Sequence, residues 1–321
     1  MTNASTTRAL PRAERGAPSR LAGATGLVVA VVSAVGVWAC WRLFVDTWAG
    51  QQVEWAALQG AQNWQGQLWR VAERVLDVVS VGFIAVVLLA AVLIALVRRR
   101  WSLAVQVAVL MIGANVTTRV VKLVLLDRPD LGVEGTWGNT LPSGHTTAAA
   151  SISAVLLMVV PRRIRPWAAV LGAGYTAATG VSTLVGQWHR PSDVVAAVLV
   201  VTAWAAVSCS VVALLPSTRD LSAPAVAPGS REQRSTRRVT WALVIVGLAS
   251  GAVALVALQT TWAHRVALDS RADVLTAYLG GAAGVLAASC LAFALLLALM
   301  GASTAPARAA APSESALDET S

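Results

Sequence analysis

Residues 185–215 read "VGQWHRPSDVVAAVLVVTAWAAVSCSVVALL". Three ionisable side chains, His189, Arg190 and Asp193, stand at the mouth of the apolar run Val194–Leu215, which no charge interrupts. Roughly 20 apolar residues are what a helix needs to cross the hydrocarbon core of a bilayer. Inside lipid each backbone N–H and C=O must be satisfied internally, so such runs form helices or a closed barrel. Comparable runs recur along the chain, continuous rather than alternating, which excludes the barrel. The composition agrees: of 321 residues, 56% are hydrophobic and only 13% charged, unlike a soluble domain. The expected fold is all-α, a polytopic bundle of transmembrane helices.

Eight spans are predicted: Leu21–Val45, Val75–Val97, Leu103–Val121, Thr146–Val160, Trp167–Val185, Val194–Leu215, Val239–Trp262 and Val274–Met300. The fourth is short and is expected to continue into the polar residues at its ends. The chain carries a net charge of +9, but its arginines lie in short blocks between spans, the pattern of topology signals rather than of a nucleic-acid surface. Arg8–Arg20, Arg98–Arg100, Arg162–Arg165 and Arg219–Arg238 all fall on one side of an even-numbered bundle, which the positive-inside rule makes cytoplasmic. Both termini are then cytoplasmic. Cys40, Cys209 and Cys290 all lie within apolar runs and read as small buried hydrophobes.

The expected organisation is an N-terminal tail at 1–20, a six-helix core at 21–216, a cytoplasmic linker at 217–238, an added helix pair at 239–301 and a disordered tail at 302–321. Within the core, residues around 50–72 mix tryptophans and glutamines with apolar residues, as an interfacial amphipathic helix does.

The rarest ionisable residues gather at one level. Two of the three histidines, His145 and His189, fall at the outer ends of spans, and so does the sole lysine, Lys122. Singly, each has an ordinary reading: a histidine at a helix mouth bonds to the interface, and a terminal lysine snorkels. Together, at a membrane edge where ionisable groups are costly, they point to a functional site.

Three pieces carry these residues: "KLVLLDRP" (Lys122–Pro129), "PSGH" (Pro142–His145) and "STLVGQWHRPSD" (Ser182–Asp193). In this order they resemble the three-part signature of the type-2 phosphatidate phosphatase superfamily, the lipid phosphate phosphatases, in its membrane-integral bacterial branch. The resemblance covers spans one to six and leaves out the last two. It implies His189 as a nucleophile forming a phosphohistidine, Asp193 as the group orienting its ring, and His145 as general acid. It further implies Lys122, Arg128, Ser143 and the Gly144 backbone as ligands of the phosphate oxygens, with no metal and no cofactor. Helix N-termini at spans four and six, with Ser143 and Ser192 as N-caps, would suit such an anion.

Two departures stand out. The stretch between Lys122 and Arg128 is one residue shorter than the family's usual spacing, a rotation of about 100° on a helix. Where the third piece normally has Ser-Arg, this chain has Ser182-Thr183, and so lacks a phosphate-binding arginine. Arg190 and Arg119 are the candidates to replace it. Arg119 shares a helical face with Asn115, Thr118 and Lys122, and facing lipid at mid-span it would cost about 2.5–3.5 kcal/mol, so it is expected to turn into the pocket. The resulting expectation is a phosphatase of the bacterial cytoplasmic membrane, its site on the periplasmic face, acting on a polyprenyl phosphate or a glycerophospholipid phosphate. Its partners are that lipid and the bilayer, not nucleic acid. The alternatives are a non-catalytic lipid-phosphate-binding or transport protein, or a lipid phosphotransferase, on the same fold.

Overall fold

The computed structural model describes residues 20–62, 66, 101–135, 138–214 and 229–302. The predicted second span, Val75–Val97, lies outside the described residues, as do both tails. Eight α-helices run through the described residues: α1 (Arg20–Cys40), α2 (Trp48–Gln62), α3 (Trp101–Val120), α4 (Gly144–Val159), α5 (Arg165–Val185), α6 (Pro191–Leu214), α7 (Arg231–Ala263) and α8 (Arg271–Ala302). Helices α1 and α3 each end in a π-helical turn, Trp41–Val45 and Val121–Leu125. Among the described residues, six segments are long and apolar enough to cross a membrane: Gly23–Val45, Ser102–Leu125, Arg165–Val185, Pro191–Val211, Arg231–Ala263 and Arg271–Gly301. By helix length and hydropathy this is a multi-pass membrane protein.

The distribution of side chains is that of a protein solvated by hydrocarbon. Val28, Val31, Val32 and Val35 of α1 and Ile245, Leu248 and Val253 of α7 face outward, while Ser151, Thr176, Thr179, Thr183 and Ser208 are buried. Lipid gives apolar side chains no reason to turn inward, so small and hydroxyl-bearing residues take the helix contacts. At Gly113 of α3 a β-carbon would overlap the ring of Trp204 on α6, and the indole Nε1 donates to Thr117 Oγ1 of α3 at 2.9 Å. Helix α1 packs on α6, α4 on α5, and α7 on α8. Helix α8 in turn packs against α2, α5 and α6.

Three expectations change. The fourth span extends into its polar flank at its first end only, through His145 and Gly144: α4 has 16 residues, a rise of about 24 Å against a core of about 30 Å. Ser143 caps it at one end, accepting from Thr146 N–H at 3.3 Å, and Val160, extended, ends it just before Pro161. The arginine block at 231–238 is helix rather than linker. Ser230 Oγ accepts from Gln233 N–H at 3.2 Å and Glu232 lies in the first turn, so the helix starts there. Finally, α2, the described part of the predicted amphipathic stretch, is largely enclosed by protein, with Gln51 and Glu54 both buried.

Candidate active site

The chain reaches the site three times. First, α3 runs out through Lys122, which sits half-buried in the π-helical turn. Leu126 is already extended (φ −126°, ψ 125°), so Arg128 is released from helical register and the short spacing carries no rotational penalty. The strand-like loop beyond is pinned from several directions. Trp41 Nε1 donates to Asp127 O at 2.8 Å, Gln51 Nε2 to Pro129 O at 3.0 Å, and Asn139 Nδ2 to Leu126 O at 2.6 Å.

This places the Arg128 guanidinium in the interior, its side chain 3% exposed and Nη1 4.0 Å from Glu54 Oε2. Burial and the neighbouring Arg190 guanidinium push the Arg128 pKa down from its usual value. Glu54 is the opposite case. Burial first, and the Asp193 carboxylate second, raise its carboxyl to about 7.

Second, α4 opens at the site. Ser143 is buried beneath it as N-cap. The N–H groups of Gly144 and His145 donate to nothing among the described residues. Gly144 is exposed, and a β-carbon there would meet only open space. Two free donors at the positive end of a helix are chemically suited to an anion.

Third, the turn after α5 carries His189 and Asp193 into the first turn of α6. His189 Nδ1 lies 3.2 Å from Asp193 Oδ2. The same carboxylate oxygen accepts Arg190 N–H at 3.0 Å and Thr140 Oγ1–H at 2.6 Å. Asp193 thus closes the helix as the acidic half of a capping box while it fixes the histidine ring. With Nδ1 held as the donor, Nε2 is the nitrogen with a free lone pair. The His145 ring stands 6.5 Å from His189, centroid to centroid, and 5.4 Å from Trp188. That gap is too wide for a direct bond and suits a group lying between the two imidazoles.

Of the residues singled out from the sequence, His189, Asp193, His145, Ser143, Gly144, Lys122 and Arg128 come to these three neighbouring helix ends. Ser143 N–H even donates to Asp193 O at 2.9 Å, joining the second and third pieces through backbone. Ser192 is not the N-cap of α6. The helix begins one residue earlier at Pro191, where a missing N–H costs nothing, and Ser192 N–H donates to Glu54 Oε1 at 3.0 Å. The first donors of α6 are therefore taken by protein oxygens, and of these two helices it is α4 whose first N–H groups stay open among the described residues.

The two replacement arginines behave differently. Arg119 is exposed, on the outward side of α3, and not turned into the pocket. Arg190 is buried, its Nη1 donating to Thr140 Oγ1 at 2.9 Å and Nη2 to Gly135 O at 3.0 Å. Thr183 is also buried, its hydroxyl returned to Gly180 O at 2.7 Å within α5. His264 lies apart from this cluster, paired with Asp273 at 3.2 Å.

Two residues that matter here were not read from the sequence. Thr140 bridges Arg190 to Asp193, and nothing in "GNTLPSGH" marks it. Glu54 had a signal, a lone acid within the apolar "VEWAAL", which a helix can afford to bury only with partners.

The fold and site define a multi-pass membrane protein with a His–Asp pair facing a second histidine at clustered helix ends. Residues 101–216 match the model of the PAP2 superfamily. Members of this superfamily are generally phosphatases. No curated protein and no solved structure matches the chain.

Proposed function

We propose that the protein is a membrane phosphatase hydrolysing a lipid phosphate or diphosphate through a phosphohistidine. The observation that carries this reading is the His189–Asp193 pair set opposite His145, beside the free N–H groups of α4. His189 Nε2 attacks phosphorus while Asp193 holds the Nδ1 proton and the ring orientation. The bond from phosphorus to the lipid oxygen breaks, and His145 gives that oxygen a proton. Water, deprotonated by His145, then cleaves the phosphohistidine to release phosphate. Lys122, Arg128 and the Gly144 and His145 N–H groups offset charge on the phosphoryl oxygens, the main task in phosphoryl transfer. Ser143 holds the α4 cap beneath them. Arg190 acts by holding Thr140 and Asp193 rather than by touching the phosphate.

The membrane setting supports a substrate with its head at the site and its tail in the bilayer: a polyprenyl phosphate or diphosphate, phosphatidate or phosphatidylglycerol phosphate. The arginine blocks support a site on the periplasmic face of a bacterial cytoplasmic membrane. A second reading, lipid-phosphate binding without turnover, is favoured by one observation: a buried threonine at position 183 where an arginine would meet phosphate. One experiment separates them. Purified protein in detergent is offered these lipid classes and phosphate release is followed beside the His189→Ala variant. Release abolished by the substitution establishes the phosphatase. Binding of lipid phosphate without any release establishes the second reading.

A further inference from the structure

A cavity of about 140 Å³ lies where the first turn of α6 meets α2, α7 and α8. Its walls are hydrocarbon: Val53 and Ala57 from α2, Val195 from α6, Ala254 and Leu258 from α7. On the α8 side it is lined by Gly281, whose β-carbon, if it had one, would stand 2.6 Å from Pro191 Cγ, so the two helices close on each other there. Ala254 is partly exposed, and its β-carbon stands on the side of α7 that faces Gly284 of α8.

The one carboxyl lining this space is that of Glu54; the Cys40 thiol lines it as well. Oε1 is taken by Ser192 N–H. Oε2 is buried without a hydrogen-bond partner among the described residues, its nearest cation being Arg128 at 4.0 Å. An unmatched buried oxygen is costly, and water is a poor remedy in an apolar cavity. Cavities of about 150 Å³ with such walls stay dry and take small hydrocarbon ligands. A matching occupant brings a hydrocarbon chain for the walls and one neutral hydrogen-bonding group for Glu54. An anionic head is disfavoured, because Asp193 already crowds negative charge against Glu54.

We propose that this cavity seats the head end of an uncharged long-chain alcohol, its hydroxyl on the Glu54 carboxyl and its chain against α7 and α8. The cavity shares α6 with the catalytic pair, and an alcohol is what dephosphorylation of a lipid phosphate leaves behind. Naming the ligand a product rests on the phosphatase reading; the binding itself does not. The last two helices, which lie outside the matched segment 101–216, would then serve to receive the product.

The test is photolabelling of the full chain in phospholipid nanodiscs. The probe is a long-chain alcohol bearing a diazirine beside the hydroxyl, with its phosphate monoester as the comparison. Both arms use the His189→Ala background, so that the monoester cannot be converted into the alcohol. The alcohol is expected to label segments 254–261 and 277–284. Glu54→Leu lowers this labelling about five- to tenfold, the loss of one hydrogen bond. Ala254→Phe, which fills the cavity from its α7 wall, reduces it to background and keeps the test decisive if Glu54→Leu does not fold. The monoester labels these segments at least tenfold less.

Equal labelling by the monoester overturns the proposal. So does labelling spread over the lipid-facing helix surfaces and indifferent to Ala254→Phe. Phosphate release that survives His189→Ala would sink the phosphatase reading while leaving this labelling result intact.

Discussion

Thr140→Val tests whether the carboxylate hub, rather than the His–Asp contact alone, sets the nucleophile. The hydroxyl donates to Asp193 Oδ2 at 2.6 Å and accepts from Arg190 Nη1 at 2.9 Å. Valine keeps the shape and removes both bonds. A hydrogen bond to a charged group contributes about 1.5–3 kcal/mol. If that loss falls wholly on the transition state, at about 1.4 kcal/mol per factor of ten, kcat drops roughly ten- to hundredfold. KM should move little, since Thr140 is assigned no contact with the phosphate. Thr140→Ser retains the hydroxyl and should recover most of the activity, because the methyl group makes neither bond. The assay is phosphate release under saturating and sub-saturating lipid, with thermal unfolding followed in parallel. Thr140→Val at wild-type kcat would refute the reasoning. A serine variant as slow as the valine one would show that packing, and not the hydroxyl, is what counts.

Other perturbations discriminate equally well. Arg119→Ala, at an exposed position, should change kcat less than about twofold. Arg190→Ala should lower it by ten- to hundredfold, because it frees both Thr140 and Gly135 O from a charge-assisted donor; steady-state kinetics on the pair settles it. Glu54 binds its proton more tightly folded, at about 7, than at its ordinary 4.5. The stability this contributes is full below about 4.5 and is lost as pH rises through 7. The midpoint of thermal unfolding should therefore fall across that window in the wild type, more steeply than in Glu54→Gln. Gly113→Ala should cost about 1–3 kcal/mol of stability by driving a methyl into Trp204, measured as a lowered unfolding midpoint in detergent.

Six of the eight predicted spans were legible because hydropathy over twenty residues is a one-dimensional property, and lipid reads it much as a sliding window does. The His189–Asp193 pair was legible for a similar reason: a separation of four residues across a helix start determines the contact almost by itself. Arg119 failed because a helical face is a wide arc. Thr118 and Arg119 stand about 100° apart, at the two edges of the face they share with Asn115 and Lys122, and Thr118 is buried against Thr147 at 3.0 Å while Arg119 faces out. Arg128 reaches the cluster despite its altered spacing because the helix ends in a π-turn before reaching it, which no hydropathy pattern announces. Thr140 and Glu54 meet their partners 53 and 138 positions away. Contacts at that range depend on how helices assemble, which local pattern does not specify.

The bond from Ser143 N–H to Asp193 O has a consequence for how the site can diverge. It is made of main chain alone, so its existence is indifferent to which side chains surround it. Residues such as Thr183 are free to drift without the two helix openings losing their mutual alignment. A point substitution can sever that tether directly only by removing the donor, as proline at position 143 would. A lineage carrying this fold can thus trade headgroup contacts one at a time, the frame that aims them staying put.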